Sequence, residues 1–491
     1  MKSNKNKIFP SSKPLTFSRR TFFSRVGDGL QGTALATLLG NDLFSANPVL
    51  GKNSRPIYDL RKRQPHFEPR AKSVIQLFMN GGPSQVDLLD PKPALEKFAG
   101  QLPSRDLASE IRAVREAGGL MPSPFKFAKH GKSGIEISEI MPHLASQVDN
   151  ITVIRSMFTT HMAHESSLFI MHSGRMFSGR PSLGAWVVYG LGTENQNLPA
   201  YVVLDDPKGL PINDIQNWQA GYLPAIYQGT RVRSQGSPLL NLHPREEWPS
   251  PVVKLSRSLL RQLDQRHLKQ HSNDTELEAR IAGYELAARM QLAASDALDI
   301  SKETKLTKQL YGLNDEVTSS YGKRCLMARR LVERGVRLVQ IYIERQIWDN
   351  HHSIKKGLRQ CCDKTDKPSA ALLEDLKQRG LLDSTLVVWG GEFGRLPIAQ
   401  QPTAGESGRD HGPSGFSIWM AGGGIKPGTV FGATDDIGHK AVENPVSVHN
   451  LHATILHLLG LNHRDLVFER EGRSERLTDE FPAKVVKEII V

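Results

Sequence analysis

The stretch 385–395 reads TLVVWGGEFGR, and its first half is an unbroken apolar run of β-branched and aromatic residues. A run of that length without alternation predicts a strand covered on both faces, as in a parallel sheet between helix layers. Two glycines and Glu392 follow directly. A carboxylate at the end of such a strand is taken out of water, which is costly unless a positive charge meets it. Glu392 is therefore expected to face a metal ion, Arg395 or Arg409.

Runs of the same kind recur at 73–79 (SVIQLFM), 151–155, 200–205, 336–343 (VRLVQIYI) and 416–420. Between them, helical patterns are expected at about 163–172, 274–300, 318–334, 367–380 and 447–460. Strands alternating with helices predict a three-layer α/β/α fold around a mostly parallel sheet. It is expected as a single domain over 73–480, with mixed strand order at one edge and the region 274–334 packed on one sheet face. Six prolines between Pro207 and Pro249 break up the stretch 206–250, which reads as an insertion.

The chain has 491 residues and a formal net charge of +12. Residues 1–72 hold 14 Lys and Arg against 4 Asp and Glu, which leaves 49 against 47 for the rest. The folded body is thus nearly neutral and lacks the clustered positive charge of a nucleic-acid binder. Within the basic start, Ser18-Arg19-Arg20-Thr21-Phe22-Phe23 precedes a mildly apolar stretch at 29–40. This resembles a twin-arginine export signal over 1–46, followed by a basic linker over 47–72. An apolar segment of about 12 residues falls short of the roughly 20 that span a bilayer, so no stable membrane insertion is expected. The implied location is periplasmic or otherwise exported, with the twin-arginine translocase as a transient partner. Cys325, Cys361 and Cys362 form no C-x-x-C, so neither a disulfide framework nor a zinc knuckle is indicated.

In open α/β sheets functional groups gather past the carboxyl ends of strands. After 73–79 come Asn80-Gly81-Gly82-Pro83-Ser84 and Asp87. After 151–155 come His161, His164 and Glu165, where a helix begins and its dipole favours an anion. After 336–343 come Asp349, Asn350 and His351, which can offer an oxygen and an imidazole to one cation. After 385–389 comes Glu392, and further on Gly408-Arg409-Asp410-His411-Gly412-Pro413. The competing reading pairs Glu392 with Arg395 or Arg409 and leaves His411 capping a loop.

The twin-arginine leader, FMNGGPSQVDLLDPKP at 78–93, WDNH at 348–351, the 385–395 stretch with its lead-in, GRDHGP at 408–413 and AGGGIK at 421–426 together resemble the bacterial "domain of unknown function 1501" family. The resemblance covers most of 70–465. That family resembles the alkaline phosphatase and sulfatase superfamily at fold level, so an alkaline phosphatase-like core is implied. By that resemblance, Asp349, His351, Glu392 and His411 would hold a divalent ion, Zn or Mn, with His161, His164 and Ser84 lining the same pocket as catalytic groups. Two carboxylates buried there without a cation are expected to have raised pKa values.

The sequence also departs from the superfamily. Asn80 stands where a metal-binding Asp is expected, and His164 roughly where a Ser or Thr nucleophile opens the helix. Gln101-Leu102-Pro103-Ser104-Arg105 only echoes the sulfatase motif, because Gln101 is no nucleophile. These departures speak against a two-metal phosphatase and a formylglycine sulfatase. Two functions stay open: an exported metal-assisted hydrolase of phosphate or sulfate esters, and a non-catalytic exported protein of the same fold that binds sulfated or phosphorylated surface polymers.

Overall fold

All six predicted apolar runs form strands of one nine-stranded sheet in the computed structural model, which describes residues 59–112, 114–233, 249–271, 275–401, 406–479 and 481–491. The strands are β1 (Ser73–Phe78), β2 (Ile151–Phe158), β3 (Tyr201–Leu204), β4 (Thr230–Val232), β5 (Leu338–Tyr342), β6 (Thr385–Gly390), β7 (Phe416–Ala421), β8 (Thr429–Phe431) and β9 (Val446–Ser447). Their order is β8-β2-β7-β6-β1-β5-β3-β4, with β9 also paired to β2. In the centre, Val74 of β1 lies beside Leu338 on one side and Leu386 on the other, both in parallel register.

Only β7 runs against its neighbours β2 and β6. The reversal was expected at an edge of the sheet, and it lies inside it. The consequence is functional: the start of an antiparallel strand lies on the edge where its parallel neighbours end, so the residues just before β7 join the other strand exits.

Seven longer helices accompany the sheet: α1 (His164–Ser173), α2 (Leu183–Leu191), α3 (Ser250–Gln270), α4 (Thr275–Leu298), α5 (Glu316–Glu333), α6 (Ile354–Gln378) and α7 (Val448–Leu458). Side chains alternate along β1, so Ile75 and Leu77 pack with Leu326 of α5 and Leu372 of α6, whereas Val74 and Phe78 pack with Leu168 of α1, Trp186 of α2 and Leu451 of α7. The result is the expected α/β/α sandwich. The region 274–334 divides: α5 lies on the sheet, and α4 brings Ala297 and Leu298 of its last turn to the same core. Helix α6 begins well before the predicted residue 367, because Pro368, normally a first-turn residue, sits in its interior.

The insertion at 206–250 also contributes to the fold, for β4 extends the sheet beside β3. The leader over 1–46 and the linker as far as residue 58 lie outside the described residues. The rest of the predicted linker is docked: Leu60 is buried, its carbonyl accepts the Thr193 amide, and the Arg70 and Ala71 amides donate to the Leu458 carbonyl. From Tyr58 onward the chain is one compact unit. Among the described residues no helix is long and apolar enough to cross a membrane. The three cysteines are buried and free.

Two buried histidines outside the strand exits set an acid limit on this core. Near the end of α1, His172 accepts from Gln340 Nε2 at Nδ1 (3.2 Å) and donates from Nε2 to the Tyr342 hydroxyl (3.0 Å). His452 donates to the Met171 carbonyl. Burial pushes both pKa values down to about 3. The unfolded chain binds these protons near pH 6.5 and the folded one does not. Stability is therefore complete above pH 6.5 and falls as pH drops toward 3, by about 1.4 kcal/mol per unit for each imidazole. Urea unfolding between pH 7 and 5 should show this slope, and a His452→Asn variant should show a shallower one. A slope that the variant leaves unchanged would assign the acid sensitivity to other groups.

Candidate metal centre

Five adjacent strands, β2, β7, β6, β1 and β5, deliver the predicted residues to one edge of the sheet. β2 leads through a short loop to His164 at the start of α1. β7 is preceded by His411, β6 is followed by Glu392, β1 by Asn80 and Gly81, and β5 by a loop ending in Asp349 and His351. Gly81 has φ +114°, and a Cβ there would lie 2.5 Å from the Asp349 amide nitrogen. Only glycine lets the β1 and β5 exits approach this closely.

His164, Asp349, His351 and His411 gather with one ligand atom each, all within 4.8 Å of one another. Each imidazole is oriented from behind. His164 Nδ1 donates to Glu392 Oε1 (2.7 Å), His351 Nδ1 to Gln400 Oε1 (2.6 Å) and His411 Nδ1 to the Met162 carbonyl (2.7 Å). The oxygen acceptors assign a proton to Nδ1 in all three rings, which turns the three Nε2 atoms inward toward Asp349. His351 Nε2 and His411 Nε2 are 3.0 Å apart. They lie 2.9 and 3.2 Å from Asp349 Oδ1, and His164 Nε2 lies 3.2 Å from Oδ2. His164 Nε2 is buried and has no hydrogen-bond partner among the described residues.

The ionisation pattern reflects this crowding. Burial alone would raise the Asp349 pKa, but the three imidazoles and Arg395 outweigh it and hold the carboxyl well below the usual range. The expectation of raised values thus fails at Asp349, because the group is surrounded by donors. His164 is lowered by burial, yet Asp349 and Glu392 together bring it up to about 9. His351 is raised in the same way by Asp349 and Gln400 against its burial. His411 is lowered to about 4, since burial and the neighbouring Arg395 and His164 outweigh its bond to Asp349. Three imidazoles gathered around one carboxylate are held together by protons or by a cation, and the four N and O donors could hold a metal ion.

Of the four expected ligands, Asp349, His351 and His411 are in this cluster and Glu392 is not. Glu392 is completely buried, and its carboxylate accepts the Gly81 amide (2.9 and 3.1 Å), Gln346 Nε2 (3.3 Å) and His164. It stands behind His164, which is the fourth member of the cluster. Neither arginine pairs with Glu392. Arg395 donates to Asp349 Oδ1 (2.7 Å) and to the carbonyls of Gly81, Gly82, Trp348 and Arg409, tying three strand exits together. Arg409 forms a buried bidentate pair with Asp87. Phe393 packs its ring against His164 and His411, with centroids 4.9 and 4.6 Å apart, as an apolar floor.

The other expected catalytic groups lie elsewhere. Ser84 is buried and donates to Asp87 Oδ2 (2.5 Å), which holds it in the Asp87–Arg409 pair. His161 turns back on its own loop, with Nδ1 accepting the Ala163 amide. Asn80 bridges β1 and β5 by donating to the Ile343 carbonyl (2.9 Å). Three supports were missed in the sequence: Gln400, the Met162 carbonyl and Gln346.

A family model described as "Protein of unknown function (DUF1501)" matches residues 71–490. The chain belongs to this family. No curated protein matches the DUF1501 chain. Among solved structures it is similar to the lipoteichoic acid synthase of Listeria monocytogenes (10% identity, 84% of this chain and 76% of that one, TM-score 0.33) and to the phosphonate monoester hydrolase of Silicibacter pomeroyi (10%, 80% and 73%, 0.32). A further similar structure is the alkaline phosphatase of the Antarctic bacterium TAB5 (11%, 80% and 99%, 0.32).

Proposed function

We propose that this DUF1501 protein is an exported metal-dependent hydrolase of anionic esters. One observation carries the reading: three imidazoles, each fixed through Nδ1, turn their Nε2 atoms toward a single carboxylate. His164, Asp349, His351 and His411 would hold one divalent ion, Zn or Mn in kind. When bound, such an ion supplies Lewis-acid polarisation of an ester oxygen and charge neutralisation. The chain supplies the rest. Helix α1 begins at His164 without a side-chain cap, so the positive end of its dipole faces an anion held at the cluster. Glu392 holds the His164 ring, and Arg395 holds the Asp349 carboxylate. With Ser84 bonded to Asp87 and His164 in the cluster, the attacking oxygen is assigned to water.

The unavailability of Ser84, His161 and His164 as free nucleophiles also supports the second reading, a binding protein for sulfated or phosphorylated polymers. Elemental analysis of the purified protein, combined with a screen of phosphate and sulfate esters, separates the two. The hydrolase reading expects about one divalent ion per chain, turnover of one ester class, and loss of that turnover with a chelator. Stoichiometric metal without any turnover would leave the binding reading, and absence of metal would remove the hydrolase reading.

Export is part of the proposal and rests on Ser18 to Phe23. Replacing Arg19 and Arg20 by Lys is expected to keep the precursor in the cytoplasm. Unchanged export of that variant would overturn it.

A further inference from the structure

We propose that the groove beside the cluster binds a second anionic group of the same substrate through Arg345, so that the substrate is a multiply charged ester. This deepens the hydrolase reading and rests on it for the first anion. The loop from β5 to Asp349 places Arg345 at φ +40°, a left-handed conformation that a long side chain adopts only at a cost. The neighbouring turn holds it there. The Arg345 amide donates to the Gly209 carbonyl (3.3 Å), and a Cβ on Gly209 would come within 2.9 Å of Arg345 Cγ, so that glycine leaves room for the arginine stem.

Arg345 is exposed on a cavity of about 590 Å³ lined also by Lys208, Glu344, Gln346 and Ile347. A second cavity of about 290 Å³ shares the lining residues Lys208 and Glu344 and is lined also by Arg324 and Tyr321. There Arg324 Nε and the Tyr321 hydroxyl are buried without hydrogen-bond partners among the described residues. Near the cluster, the Asp349 amide donates to the carbonyl of the groove residue Gln346 (2.9 Å), so groove and cluster share one turn of the chain.

The charges favour an anion. Glu344 is the single carboxylate of the nearer cavity, and it already serves two ammonium groups, Lys208 (3.2 Å) and Lys364 (2.8 Å). Arg345 makes no ion pair among the described residues. A planar guanidinium held open to solvent, beside a carboxylate that already serves two ammonium groups, is suited to bidentate contact with a sulfate or phosphate group.

The test is calorimetric titration of the full chain with a disulfated disaccharide and its monosulfated counterpart. The disulfated form should bind at least about tenfold more tightly, the size of one charge-assisted contact. Arg345→Gln should abolish that preference, so that the two forms bind alike, and Arg345→Lys should retain part of it. No preference in the wild type, or a preference that survives in Arg345→Gln, would overturn the proposal. The same pair carrying phosphate tells which ester the groove takes, the class showing the Arg345-dependent gain being the substrate class. Because binding is read without turnover, a chain that binds in this way but hydrolyses neither ester would remove the hydrolase reading and leave the groove assignment standing.

Discussion

Alanine in place of His351 or His411 is expected to reduce the bound metal from about one ion per chain to below a tenth of that after dialysis. Each of these rings supplies one of four donors, and removing one leaves a three-donor set with a gap toward solvent, because Asp349 and His351 are the partly exposed members. Glu392→Gln tests a different claim. It removes the carboxylate behind His164 but none of the four ligand atoms, so affinity should fall by about 10- to 100-fold without being abolished. Elemental analysis reads the first effect and a competitive chelator titration the second. Thermal unfolding gives a check independent of turnover: adding a chelator should lower the wild-type midpoint and leave His411→Ala unmoved, since a ligand stabilises only the state that binds it. Equal metal content in wild type and His411→Ala would dismiss the centre.

The difference between those two variants shows what was legible in the sequence. Parallel strands such as TLVVW at 385–389 announce themselves as unbroken apolar runs, which put Asp349, His351 and Glu392 past strand ends, whereas grouping them with His411 rested on the resemblance to the alkaline phosphatase and sulfatase superfamily. Periodicity carries no strand direction, however. Mixed strand order was therefore expected only at an edge, and the antiparallel run of β7, which brings His411 to the exits of β6 and β1, was not foreseen. That His164 joins the cluster and Glu392 stands behind it was equally hidden. Both lie at strand exits, and which of two hydrogen-bonded groups faces the ion depends on the ångström-scale approach of Gly81 to Glu392. Gln400 and the Met162 carbonyl orient two rings, but an isolated amide and a backbone oxygen carry no mark in sequence. Arg395 was read as a partner for Glu392 because it lies three residues away, whereas its guanidinium is drawn to four loop carbonyls and Asp349.

The largest expected loss of stability comes from the second buried arginine. Arg409 and Asp87 are both completely enclosed, and two parallel bonds of 2.7 and 3.0 Å join them. Arg409 also donates to the Met121 and Pro122 carbonyls, and Ser84 donates to the Asp87 carboxylate. The pair thus locks the turn after β1 to the segment that carries His411 two residues later. Taking two charges out of water is nearly offset by their mutual attraction, but removing one partner leaves the other buried and uncompensated, at about 3–5 kcal/mol. Asp87→Leu and Arg409→Met should each lower the unfolding free energy by that amount in urea titrations. The double variant should recover most of the loss, because two apolar side chains leave no stranded charge. Additive losses in the double variant would show that the pair is not coupled and that each residue acts through separate contacts. Metal content separates stability from function in the same series: if the pair positions His411, the double variant should regain stability but not full metal affinity, since the bond that fixed the turn against the 408–413 segment is gone.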